Sequence, residues 1–186
     1  MPRIFIALPV DAAVRRTIAG AIPKEDGAVR WVKEHQYHIT LKFLGEISEH
    51  ELQQTCAAVE QVGRAWTEPL HLAVRGVGAF PNTARARVVW VGITGDVGPL
   101  LRLQRSVEQA LAGAGFPAER RPFTPHVTVG RLRDPGPLPE AVLAYENFNF
   151  GTWTVPAVQV VESTLRPAGP VYTVRHEVAL PVSAAT

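Results

Sequence analysis

The chain opens on a short apolar run, Arg3-Ile4-Phe5-Ile6-Ala7-Leu8, that predicts a strand ending at Pro9. Asp11 then stands as the N-cap of a helix whose apolar positions Val14 and Ile18 lie one turn apart. After a break from Pro23 to Gly27, extended segments are expected over 29–32 and 37–45. Ser48 and Glu51 form a capping box that opens a helix carrying Leu52, Val59, Val62 and Trp66 on one face, with Pro69 as its stop. Strands are expected over 70–76 and 88–93, joined by the loop 80–85. A further helix follows, with Leu100, Leu103, Val107 and Leu111 on one stripe and Gly113 and Gly115 closing it. A turn around Pro122 and Pro125, a strand over 126–131 and a proline-rich loop through Pro139 come next. Three strands, around 152–155, 158–164 and 171–180, finish the chain.

Two long helices and about eight strands in mixed order predict an α+β fold. No shift of composition marks a linker, so residues 1–186 are expected to form a single domain. The order has an internal echo, because each half offers a strand, a helix and a strand beginning His-x-Thr. His38 and His126 lie nearly half the chain apart. Two related lobes facing each other across a groove would place those two strands opposite one another.

Composition narrows the picture. Hydrophobic residues make up 46% and charged residues 19%, the balance of a chain that folds around a core. No apolar run approaches the roughly 20 residues of a membrane span, and the first strand is too short for a secretory signal, so no membrane role is expected. Cys56 is the sole cysteine, which excludes an internal disulfide and fits a reducing cytoplasm. In line with Leu52 and Val59, it is expected to be a buried structural thiol. A net charge of +2 permits nucleic-acid contact without requiring it. Arginine supplies nearly all the positive charge, since only Lys24, Lys33 and Lys42 are lysines. Guanidinium forks match phosphate oxygens, although arginine-rich coding alone produces the same bias.

The chemistry concentrates in His38-Ile39-Thr40-Leu41-Lys42-Phe43-Leu44-Gly45 and His126-Val127-Thr128-Val129-Gly130-Arg131. Alternation along a strand puts each His and its Thr on one face and Ile39, Leu41, Phe43, Val127 and Val129 on the core face. Lys42 shares the His38 face by the same parity, and Gly130 would leave room for a ligand near the backbone. Hydrolysis of a phosphodiester needs one group to take a proton from water and another to give one to the leaving oxygen. Histidine serves either role near neutral pH. Threonine hydroxyls can donate to the non-bridging oxygens, where charge builds up.

These motifs, together with Arg3–Leu8, Gly78-Ala79-Phe80-Pro81-Asn82, Pro125 before His126, Ser163-Thr164-Leu165-Arg166-Pro167 and Gly169-Pro170-Val171-Tyr172, resemble the two-histidine phosphoesterase superfamily. Within it, the chain is similar to the RNA 2',3'-cyclic phosphodiesterases, also called 2'-5' RNA ligases. The resemblance covers nearly the whole length, and both His-x-Thr motifs are intact; Val129 stands where leucine is more usual. It implies a bilobal fold of two pseudo-symmetric lobes, each an antiparallel sheet with helices outside and the active groove between the sheets. It implies catalytic His38 and His126, phosphate-holding Thr40 and Thr128, and no metal or other cofactor. The implied reaction opens a 2',3'-cyclic phosphate to a 2'-phosphate, with tRNA fragments among the candidate RNA partners and ATP-independent 2'-5' ligation as a secondary activity. The near-symmetry leaves open which histidine is base.

Arg131 is the best candidate for an added phosphate contact, but strict alternation puts it opposite His126, so a twist or strand end after Gly130 is needed. Arg85, Arg87, Arg120 and Arg121 are candidates to steer an RNA backbone. Tyr37, Phe123 and Trp31 are candidate stacking platforms. His35, His50, His71 and His176 show no metal-ligand spacing, and no phosphate-cradling Gly-rich loop is present. A monomer is expected. Two other readings use the same groove: an RNA-end-binding module without catalysis, and a phosphodiesterase for small cyclic or 2'-5'-linked nucleotides.

Overall fold

The computed structural model describes residues 1–24 and 27–183; residues 25 and 26, inside the expected break, lie outside them. The elements run β1 (Arg3–Pro9), α1 (Ala12–Ala21), β2 (Val29–Trp31), β3 (His38–Glu46), α2 (Glu49–Ala65), β4 (His71–Phe80) and β5 (Ala86–Gly95). Then come α3 (Val97–Gly113), β6 (His126–Gly136), α4 (Glu140–Leu143), β7 (Asn149–Thr154), β8 (Ala157–Arg166) and β9 (Gly169–Ala179). The caps are those the sequence predicts. Asp11 accepts the Ala13 N–H at 3.0 Å, and in the capping box Ser48 accepts from Glu51 N–H at 3.1 Å while the Glu51 carboxylate accepts from Ser48 N–H at 2.7 Å. Leu100, Leu103, Val107 and Leu111 are fully buried along α3.

Several expectations change. The helix α2 stops at Ala65, and Trp66 is its extended C-cap, not a member of its apolar face. Cys56 is only partly buried; Thr55 takes the buried position, its hydroxyl donating to the Glu51 carbonyl at 2.8 Å. Burial still pushes the Cys56 thiol up, which keeps it protonated at neutral pH. The strand β6 runs on through Pro135, into the stretch expected to be loop.

Every strand pairing is antiparallel. The sheet order is β7-β4-β5-β6-β3-β1-β8-β9, with β2 added on β6. It divides into two four-stranded lobes, β6-β5-β4-β7 and β3-β1-β8-β9, whose His-x-Thr strands meet at one register pair, Ile39 with Val127. The two expected sheets are thus joined into one curled sheet along that seam. α2 packs on β8 and β9, α3 on β3 and α2, and α1 on β7, so the helices cover one face and leave the groove on the other. Ile6, Leu8, Ile39, Val89, Val91 and Val127 are among the residues that fill the interior.

The alternation breaks at the same point in both seam strands. Ile6 pairs with Lys42 and Ala7 with Thr40, which leaves Leu41 as an extra residue. Val89 pairs with Gly130 and Trp90 with Thr128, which leaves Val129 as an extra residue. Each bulge makes two consecutive residues face inward and reverses the parity of the residues that follow, up to a second register shift at Leu44 in β3 and after Arg131 in β6. Phe43, expected in the core, is therefore 71% exposed on the groove side. Lys42, expected beside His38, is buried instead. Its ammonium reaches the Glu108 carboxylate of α3 at 2.9 and 3.0 Å and the Pro117 carbonyl at 2.9 Å. Gly130 also faces inward. A Cβ there would lie 2.7 Å from Val29 Cγ1 and 3.1 Å from Trp31, so the glycine makes room for β2 and not for a ligand.

The Lys42–Glu108 pair is shielded on both sides, and removing one partner strands the other charge. Lys42→Ala is expected to cost about 3–5 kcal/mol of unfolding free energy, whereas the double variant Lys42→Met, Glu108→Leu recovers most of it. Urea denaturation of the three proteins checks this; a single variant as stable as the parent would show the pair to be solvated.

Candidate active site

The seam register assembles the site. With Ile39 opposite Val127 and both in the core, the antiparallel course brings His38 beside Thr128 and Thr40 beside His126 on the other face. All four line one groove of about 670 Å³, together with Arg131. The bulge at Val129 supplies the turn of parity that Arg131 needs. Among the groove's lining residues Arg3, Arg30, Lys33, Arg131 and Arg166 carry positive charge and none carries negative charge. A chain of net charge +2 thus presents a wholly cationic groove, which favours an anionic ligand.

Both imidazoles are oriented by the backbone two residues before them. His38 Nδ1 lies 2.7 Å from the Gln36 carbonyl, and His126 Nδ1 lies 2.7 Å from the Thr124 carbonyl. A carbonyl only accepts, so each Nδ1 carries the proton and each neutral ring keeps Nε2 as a base. Thr40 Oγ1 donates to His38 Nε2 at 2.8 Å. The rings are held differently. Phe5 stacks on His38 at 4.8 Å and Tyr172 meets it edge-on at 5.5 Å, while Phe80 stands edge-on to His126 at 5.0 Å.

Burial lowers the pKa of His38 below its ordinary value of 6.5, with the Gln36 hydrogen bond opposing and the nearby His126 adding to it. Burial likewise lowers His126; the Thr124 hydrogen bond opposes and the Arg131 charge adds. Tyr172 is pushed up by burial, with Arg131 opposing, so its hydroxyl stays protonated in the groove.

Other sequence candidates fall elsewhere. Trp31 lines the groove, but Tyr37 is buried, its hydroxyl pushed up to about 12, and Phe123 packs against the core. Arg85, Arg87 and Arg121 line neither this groove nor its neighbour, and Arg120 lines only the neighbour. His71 contacts Thr154, and His176 contacts Glu60 at 2.7 Å. Among the described residues no three His, Cys, Asp or Glu side chains converge on a possible metal position.

Sequence reasoning assigned no role to Phe5, Gln36 or Tyr172. Gln36 is buried, and its side chain donates to the Pro170 carbonyl at 2.5 Å, tying the backbone that orients His38 to the β8–β9 hairpin. Gly169-Pro170-Val171-Tyr172 entered the sequence reading only through the family resemblance, which does not show what the segment touches.

Comparison places these features. The chain belongs to the 2'-5' RNA ligase superfamily, whose family model matches residues 10–166. It is 34% identical over 177 residues to an RNA 2',3'-cyclic phosphodiesterase of Methanothermobacter thermautotrophicus, covering 92% of this chain and 95% of that protein. It is 35% identical over 187 residues to one of Thermus thermophilus, covering 96% and 90% respectively. Among solved structures, Escherichia coli LigT complexed with 3'-AMP superposes with a TM-score of 0.76 at 28% identity, covering 97% of this chain and 99% of that one.

The lowered histidine pKa values fix a pH dependence. The unfolded chain binds more protons than the folded one below the ordinary value of 6.5, so stability present above 6.5 is lost as pH falls through the folded values. In the free protein, NMR titration of both rings is expected to show midpoints below 6.5, and inorganic phosphate is expected to raise both. Midpoints at or above 6.5 without phosphate would contradict the site as described.

Proposed function

We propose that this protein hydrolyses RNA 2',3'-cyclic phosphate ends to 2'-phosphomonoesters by paired histidine acid–base catalysis, residues 1–186 forming one bilobal unit around the groove. The observation that carries it is the pair of imidazoles on facing strands, each with Nδ1–H held by a carbonyl and Nε2 on the groove side. The cationic lining and the relatives named RNA 2',3'-cyclic phosphodiesterase support the substrate class.

The phosphate sits between β3 and β6, its non-bridging oxygens accepting from the Thr40 and Thr128 hydroxyls and from Arg131. His126 Nε2 takes a proton from water as the water oxygen attacks phosphorus. The bond from phosphorus to the ribose O3' breaks, and protonated His38 Nε2 gives its proton to O3', leaving a 2'-phosphate and a 3'-hydroxyl. Arg131 favours the neutral, basic form of His126. His38 gains its proton once the anionic phosphate lies beside it, the Thr40 hydroxyl having turned from Nε2 to a phosphate oxygen. The same steps, with an RNA 5'-hydroxyl in place of water as the attacking group, join two RNA ends through a 2'-5' phosphodiester without ATP. The matched family's description supports that secondary activity.

A short RNA ending in a 2',3'-cyclic phosphate, incubated with protein in excess EDTA, tests the reading. Wild type is expected to release a 2'-phosphate, and His38→Ala and His126→Ala are each expected to lose at least about 10²–10⁴-fold in kcat. Binding of the RNA without turnover would instead make the protein an RNA-end-binding module. Full activity in both variants would remove the site assignment.

A further inference from the structure

Next to the groove lies a second cleft of about 360 Å³, bounded by Lys42, Phe43 and Leu44 of β3 and by residues 116–120. Phe43 lines both spaces. Its ring lies 5.9 Å from Phe5, which stacks at 4.8 Å on His38, so the cleft begins two ring contacts from that imidazole.

The two ends of the groove are related by the pseudo-symmetry but are built differently. At the Arg131 end β2 pairs with β6, Val32 N–H donates to the Val129 carbonyl at 2.9 Å, and Trp31 lies against Gly130. That end is closed. At the Phe43 end the facing segment, 117–121, forms no strand. Lys42 Nζ on the Pro117 carbonyl and Glu108, which accepts the Glu119 N–H at 3.3 Å, fix it beside β3. Phe43, which lines both spaces, thus lies on a course from the groove into the cleft.

The cleft suits a nucleotide. Phe43, Leu44, Phe116 and Pro117 give it an apolar floor. Arg120 is exposed and makes no ion pair among the described residues, whereas the one carboxylate in the lining, Glu119, is engaged by the backbone N–H and guanidinium of Arg121. A ring-shaped apolar surface beside an unpaired guanidinium matches a base and its phosphate.

We propose that this cleft is a second nucleotide subsite, which takes the nucleotide on the 5' side of the cyclic end. Its base lies against Phe116, and the phosphodiester joining it to the terminal nucleotide faces Arg120. The inference rests on the RNA-end reading above and adds to it where the nucleotide before the cyclic end is held, a contact that a cyclic mononucleotide lacks.

The test compares kcat/KM for a 2',3'-cyclic mononucleotide and for the dinucleotide with the same cyclic end. Wild type is expected to favour the dinucleotide by about tenfold or more, mostly through KM, in line with the worth of one stacked base. Phe116→Ala and Arg120→Ala are each expected to lower that ratio several-fold, with Arg120→Lys losing less than Arg120→Ala. Equal kcat/KM on both substrates in wild type, or variants that leave the ratio unchanged, would overturn the subsite while the phosphodiesterase reading stood. Turnover of neither substrate by wild type would overturn that reading, and this subsite with it.

Discussion

The one-residue bulge after each His-x-Thr triplet organises the molecule. Without it, period-two alternation would carry Arg131 and Phe43 into the interior and leave Lys42 in the groove. With it, the strand presents His and Thr on one face, turns two successive residues inward, and returns a third to the groove. The same slip on both sides of the seam yields a pseudo-symmetric frame. The residue types at the slipped positions then make the two halves unlike. The inward pair ends in Lys42 on one side and Gly130 on the other, and the returned residue is Phe43 on one side and Arg131 on the other. A charge-neutralising network pins a loop in the first case. A missing side chain admits a closing strand in the second.

How far this was legible in the sequence follows from the same bulge. The caps at Asp11 and Ser48, the stripe on α3 and the His-x-Thr pairs rest on local patterns, and local patterns survive in the fold. The site histidines and threonines come before the slip, so alternation places them correctly. Phe43, Lys42 and Gly130 come after it, and alternation misplaces all three. No residue in either strand announces a bulge, because it is set by pairing with β1 and β5, elements distant in sequence. The ring contacts of Phe5, Tyr172 and Phe80 with the histidines are tertiary for the same reason.

Pseudo-symmetry also explains why the two imidazoles can share one tautomer and still differ. Each is fixed by a carbonyl two residues upstream, which depends only on the local turn into its strand. What surrounds each ring depends on the partner lobe. His38 is enclosed by Phe5 and Tyr172 and hydrogen-bonded by Thr40, while His126 has one edge contact and the Arg131 charge nearby. Two copies of one local motif are thereby given different electrostatic settings by non-equivalent neighbours, the condition under which one group can act as base and the other as acid.

Burial and neighbouring positive charge disfavour the imidazolium of both rings, through His126 at His38 and through Arg131 at His126. On the proposed mechanism one of them must be protonated at the moment of reaction. Among the described residues that line the groove no carboxylate supplies the compensating charge, and on that mechanism the phosphate of the substrate would supply it. On that mechanism substrate binding and formation of the general acid would be one event. The lowered histidine pKa values disfavour the acid before a phosphodiester lies beside the ring, and the Thr40 hydroxyl that meets His38 Nε2 would then turn to a phosphate oxygen.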